Sequence, residues 1–149
     1  MKICVQAADF DPGAEIAALS AGTDAGAVAS FVGVVRGGSG AEAVSAMTLE
    51  HYPGMTERAL RAICEQATAR WTLDRVTVIH RVGRLLAGER IVFVGVASRH
   101  RGESFAACEF IMDYLKTQAP FWKKEEMAQG ARWVDARDSD ETALEKWKP

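Results

Sequence analysis

The chain has 149 residues, enough for one domain spanning residues 1–149 that buries roughly 70% of the surface its unfolded form exposes. Hydrophobic residues make up 48% and charged residues 26%, with a formal net charge of −2. That balance argues against general nucleic-acid affinity and confines any anion site to a local cluster of positive groups.

Residues 2–6 alternate and predict a first strand, not a signal peptide, and no apolar run approaches the length that spans a bilayer. A cytoplasmic location with neither nucleic-acid nor membrane partners is the expectation. Asp11-Pro12 reads as an N-cap with proline at the first helical position, opening a helix to about Ser20 that Gly22 ends. Residues 25–36 predict a buried strand, Gly37-Gly38-Ser39-Gly40 a flexible loop, and Val44–His51 a second alternating strand before a Pro53-Gly54 turn. Thr56 begins a helix to about Trp71, with Ala59, Leu60, Ile63 and Ala67 on one face. Arg75–Gly83 predicts a strand with Val76, Val78 and His80 on one side, and residues 85–89 a link. Arg90–Ser98 has the near-continuous hydrophobicity of a central strand. Gly102 to about Gln118 predicts a second main helix, and residues 132–136 a last short strand. The tail from Asp138 is polar and reads as loosely held, with Leu144 and Trp147 able to dock. The sum is one α+β domain, a mixed sheet covered by two main helices.

The chemistry concentrates after that second helix. Lys116 falls in its last turn, and Pro120 both ends the helix and biases Ala119 out of helical geometry. The chain must turn there, so Lys116 and Lys123 can converge beside Phe121 and Trp122, as a pocket for a planar anion or as an acid/base pair. A solvated basic turn is the plainer alternative. Ser98–Ser104 joins a strand end to a helix start, where free backbone N–H groups and the helix dipole meet His100 and Arg101, a phosphate or carboxylate site or a basic surface loop. Arg36 closes an apolar strand and is placed to reach a pocket. His80, within a strand, fits a satisfied, half-buried histidine better than a functional one. The loop at Gly37–Gly40 lacks both GxGxxG and a Walker lysine, which discounts nucleotide binding by that route. Cys4, Cys64 and Cys108 show no CxxC spacing, and the last two read as small core hydrophobes. No metal-ligand spacing stands out.

Taken in order, these segments resemble the large, catalytic subunits of molybdopterin synthases, the MoaE family. The resemblance covers nearly the whole chain and rests on Phe31–Arg36, Leu49–Met55, Val78–Gly83, Gly95–Arg101, Asp113–Glu125 and Arg132-Trp133-Val134. One departure is the glycine loop, where the family pattern places polar or basic side chains.

The resemblance implies an α/β hammerhead fold and a homodimer. Each subunit would bind a small ubiquitin-like sulfur-carrier protein, making a heterotetramer. The carrier's C-terminal Gly-Gly tail would end in a thiocarboxylate. Its sulfur would pass to cyclic pyranopterin monophosphate (precursor Z), in two successive transfers that form the dithiolene of molybdopterin. No metal or organic cofactor is implied. Lys116 and Lys123 fall on the family's catalytic lysines, Lys116 nearest the carrier tail and Lys123 assisting proton transfer to substrate oxygens. Arg36, His100 and Arg101 are assigned to the phosphate and pterin pocket, with His100 and Arg101 serving the neighbouring subunit's site. An unperturbed lysine, with a pKa of about 10.4, is well under ~0.1% neutral at pH 7, so a base role requires a lowered pKa and an acid or electrostatic role does not. A tail-binding module without turnover, or a dimerisation domain, remains open at this level.

Overall fold

A computed structural model describes residues 1–135 and 138–149. The elements run β1 (Lys2–Gln6), α1 (Pro12–Leu19), β2 (Ala27–Val34), β3 (Val44–His51), α2 (Met55–Arg70), β4 (Arg75–Arg81) and β5 (Gly83–Leu86). Then follow β6 (Arg90–Ser98), α3 (Arg101–Gln118), β7 (Phe121–Met127), β8 (Gly130–Val134) and α4 (Asp138–Ala143), with 3-10 turns at Gly40–Glu42 and Leu144–Trp147.

The strands form two four-stranded sheets, ordered β1-β4-β6-β2 and β5-β3-β7-β8. The first is mixed: β1 runs parallel to β4, and the β4–β6 and β6–β2 pairs are antiparallel. The second is antiparallel throughout.

In β6 the side chains alternate between two cores. Val92, Val94 and Val96 pack with residues of α2 and α3, whereas Phe93 and Ala97 join Phe10 and Leu19 beside α1. Burial on both faces explains the unbroken apolar run of this strand. Gly95 is required for the second packing, because a Cβ there would lie 2.4 Å from Leu19 Cδ1 and 2.8 Å from Phe93 Cε1. A third cluster, Val35, Leu49 and Leu85, sits where the two sheets meet.

The helix starts follow from the sequence. Asp11 accepts from Gly13 N at 3.0 Å and Ala14 N at 3.3 Å, with Pro12 in the first turn, as expected of an N-cap. Gly54 (φ +84°) precedes α2, and its N–H donates to Glu57 Oε2 at 3.2 Å. Ala119 is extended (φ −81°, ψ 129°), as the following proline demands.

The structure departs from the sequence reading in several places. The single expected sheet is two sheets. Residues 85–89, read as a link, include the end of β5, and the residues after Pro120, read as a turn, form β7 and pair with β3. The short strand expected over 132–136 is β8, Gly130–Val134, and Ala136 lies outside the described residues. The tail is held by the docking of Trp147 that the sequence allowed. Trp147 packs edge-on against Trp71 and Phe110 at 5.7 and 5.4 Å, and its Nε1 donates to Asp113 Oδ2 at 2.7 Å. Among the described residues, no helix is long and apolar enough to cross a membrane.

Candidate functional site

A cleft of about 670 Å³ opens between the C-terminal end of α3, strand β7, and the glycine loop that follows β2. Arg36, His80, Lys116, Phe121 and Lys123 line it. Its size suits a small organic substrate.

Each side chain arrives by a different route. Arg36 follows Val35, which is 1% exposed; Val35 N donates to Glu89 O at 2.9 Å, and Val35 O accepts from Gly88 N at 2.8 Å. Arg36 therefore leaves a fixed point on the backbone. Lys116 stands in the last turn of α3, whose Leu115 is buried in the main core. Lys123 comes from β7, where the two-residue period places Phe121, Lys123 and Glu125 on the cleft side.

The turn that sets β7 is clamped by Thr56. Its fully buried hydroxyl donates to Pro120 O at 3.0 Å and accepts from Tyr52 N at 3.0 Å. Thr56 thus ties the start of α2 to the proline break, a role that no sequence motif signalled. The convergence of Lys116 and Lys123 is achieved, though by strand pairing and not by a free turn. Trp122, read as an anchor into the core or a pocket wall, is 48% exposed and does not line the cleft. Phe121 does.

Charge in the cleft is uneven. Arg132 is answered by Glu125 at 3.5 Å and Glu42 at 3.8 Å. Glu126, on the other side of β7, pairs with Arg84 at 2.9 Å. Among the described residues no ion pair engages Arg36 or Lys116, so both are available to a bound anion. The glycine loop lines the cleft through Gly37, Gly38 and Ser39, so what it offers there is mostly backbone.

His80, expected half-buried, is buried more deeply than that and also lines the cleft. It lies on β4, is 4% exposed, and stacks face to face on Phe121 with ring centroids 3.7 Å apart and planes 16° from parallel. Its Nδ1 is 2.8 Å from Arg81 O. Burial above all pushes its pKa down to about 3; the backbone bond opposes this, and the charges of Lys116 and Lys123 add to it. Arg81, its neighbour in sequence, turns to structural work, with Nε donating to Ala7 O and Nη1 to Arg90 O, each at 3.1 Å.

His100 and Arg101 are not in this cleft. They stand exposed at the opposite end of α3 from Lys116. Fifteen residues of helix put them roughly 22 Å away along the axis. Within one chain the structure therefore unites Arg36, Lys116 and Lys123 and leaves the other pair apart. Cys64 and Cys108 are buried, and burial pushes their thiols up to about 12 and about 11, so neither supplies a thiolate near neutral pH.

Comparison with known proteins places the chain in a family. The family model described as MoaE protein matches residues 5–118. A molybdopterin synthase catalytic subunit from Ralstonia nicotianae is 65% identical over 97% of this chain and 83% of its own. The solved structure of a molybdopterin biosynthesis MoaE protein from Burkholderia ambifaria is 55% identical, covers 98% of this chain and 97% of its own, and superposes with a TM-score of 0.83. A protein–protein complex of subunits 1 and 2 of molybdopterin-converting factor from Helicobacter pylori contains a chain 19% identical to this one, with 91% and 90% coverage and a TM-score of 0.70, a likeness of fold. With a family model running from the first strand through the lysine-bearing helix, and relatives this similar over almost its full length, the chain belongs to the MoaE family.

Proposed function

We propose that this chain is the catalytic subunit of a molybdopterin synthase. It takes sulfur from the C-terminal thiocarboxylate of a small ubiquitin-like carrier and places it on precursor Z, twice, to form the dithiolene of molybdopterin. The observation that carries this reading is the meeting of Lys116, Lys123 and Arg36 in one cleft, in a chain so similar to curated catalytic subunits.

The chemistry follows from the side chains. A thiocarboxylate sulfur is already nucleophilic, so the subunit needs to orient it, hold the substrate phosphate and move protons. Arg36 offers a planar, permanently charged fork for the phosphate. Lys116 acts beside the carrier tail on the acyl–sulfur group, and Lys123 supplies protons to departing substrate oxygens. Once the sulfur is bonded to the substrate, water cleaves the acyl–sulfur bond, so each carrier delivers one sulfur and leaves as an ordinary carboxylate.

The carrier as partner is supported by the Helicobacter pylori neighbour, which is a complex of two subunits. In our proposal the chain forms a homodimer within a heterotetramer, in the cytoplasm. His100 and Arg101, remote from their own cleft, serve the partner subunit's site across the twofold axis.

A single-turnover assay tests the reading. The protein is mixed with precursor Z and thiocarboxylated carrier, and product is detected as a fluorescent pterin after oxidation. Dithiolene product is expected. Tight carrier binding with no product would replace the enzyme with a binding module.

A further inference from the structure

His80 lines the cleft but has no part in the mechanism just described. Its surroundings define its state. A carbonyl oxygen only accepts, so the 2.8 Å contact with Arg81 O means that Nδ1 carries the proton. The ring is neutral near physiological pH, since burial holds its pKa near 3. Nε2 is therefore a lone-pair acceptor, and among the described residues no hydrogen bond reaches it. His80 lines the cleft that also holds Lys116, so this acceptor is open to a donor from the cleft side. The stack on Phe121 prevents the ring from turning away.

The charged groups around this ring come from three elements. Lys116 on α3 and Lys123 on β7 act on it electrostatically, as does His51 on β3, and Arg36 and Glu125 line the same cleft. Of these groups Lys116 acts most strongly.

We propose that His80 is a positioning residue of the sulfur-transfer site, whose Nε2, locked by Phe121 and the Arg81 carbonyl, accepts a hydrogen bond from the Lys116 ammonium and directs it toward the carrier tail. The ring is not a proton-transfer group. It narrows the directions the lysine can point and favours its charged form. The inference rests on the enzymatic reading above, but its first test does not.

That test is a long-range ¹H–¹⁵N spectrum of the wild-type protein and of Lys116→Ala, without substrate. The Nδ1-protonated tautomer is expected, with an Nε2 signal that moves when Lys116 is removed. An Nε2 signal identical in both proteins would overturn the proposal, whatever the enzyme's activity.

The second test uses His80→Phe, which keeps the stack and loses the acceptor, beside His80→Gln, which restores one. Turnover is expected to fall ~10–100-fold in the first, with carrier affinity unchanged, and to recover in part in the second. The lysine limb of the pH–rate profile should move to lower pH in His80→Phe, because loss of the acceptor favours the neutral amine. A merely structural role would leave that limb in place, and such a result would refute the idea. If wild type fails to turn over, the enzymatic reading fails, and the spectra still decide whether His80 and Lys116 are paired.

Discussion

In the first sheet, β4 and β6 are covered on both sides, by α2 and α3 on one face and α1 on the other. In the second, β7 turns Phe121, Lys123 and Glu125 to the cleft and leaves Trp122 half-exposed on its other face. The contrast follows from the cost of burying charge. A lysine placed where Val94 or Phe93 stands would lose its hydration with nothing to replace it. The packed sheet and its helix therefore fix the points from which Arg36, His80 and Lys116 reach the cleft, and the open sheet adds Phe121 and Lys123. The two meet at the stacked rings of His80 and Phe121, one from each sheet.

The largest effects should separate the cleft from the packed core. Lys116→Ala or Lys123→Ala is expected to lower turnover about 10²–10⁴-fold, as loss of a proton-transfer group does. Because Lys116 is exposed, its replacement should leave the thermal midpoint unchanged. Near-normal turnover in Lys116→Ala would sink the assignment. Phe93→Ala should do the reverse, removing a fully buried ring that lies 6.0 Å from Phe10. A loss of about 3–5 kcal/mol in denaturant unfolding is expected. The protein that remains folded should still bind carrier.

The same contrast governs what could be read in the sequence. Strand β6 was legible because burial on both faces leaves a continuous apolar run, and β4 because Val76, Val78 and His80 share one side. Glycine inside a strand marks a bulge or a close approach, and the register shift at Gly33/Val34 and the Leu19 contact at Gly95 are one of each. Strand β7 was not legible: Phe-Trp-Lys-Lys-Glu-Glu-Met has no apolar alternation, and its pairing with Val44–His51 is set by residues some seventy positions away in the chain. The lysine pair was visible because Pro120 imposes a local rule. His100 and Arg101 came from the resemblance, as groups for the neighbouring subunit's site, and the length of α3 sets them far from Lys116 within one chain. His80 was weighted toward structure because periodicity reveals which face a residue occupies, not that a helix carrying Lys116 ends beside it.

His80 also gives the joint between the sheets a pH signature. Above its ordinary value of 6.5, the imidazole is neutral in both the folded and unfolded protein, and stability is full. As pH falls the unfolded chain takes the proton first, and stability is lost progressively until the folded value of about 3 is reached. Between pH 7 and pH 5 this amounts to about 2 kcal/mol. Urea unfolding at those two pH values should show that much less acid sensitivity in His80→Phe than in wild type. Parallel behaviour in the two proteins would mean that the folded ring is protonated, and so is not held in a dry contact.

The smallest effect is the sharpest control on β7. Lys124 is the immediate neighbour of Lys123 and carries the same charge, but its ammonium lies over the Trp133 ring, 5.8 Å from the centroid. Lys124 pairs across the sheet with Thr48 and Trp133, and the two-residue period turns it away from the cleft. Lys124→Ala should therefore cost about 0.5–1 kcal/mol of stability, the size of an exposed cation–π contact, and leave turnover at the wild-type rate. General electrostatic attraction for an anionic substrate would predict similar losses from both lysines, measured as kcat/KM at low salt. Only the strand alternation predicts that adjacent, identical residues differ by orders of magnitude. A loss in Lys124→Ala comparable to that in Lys123→Ala would show that β7 contributes charge to the cleft without directing it, and the separation between the two faces of β7 would fail at its most local point.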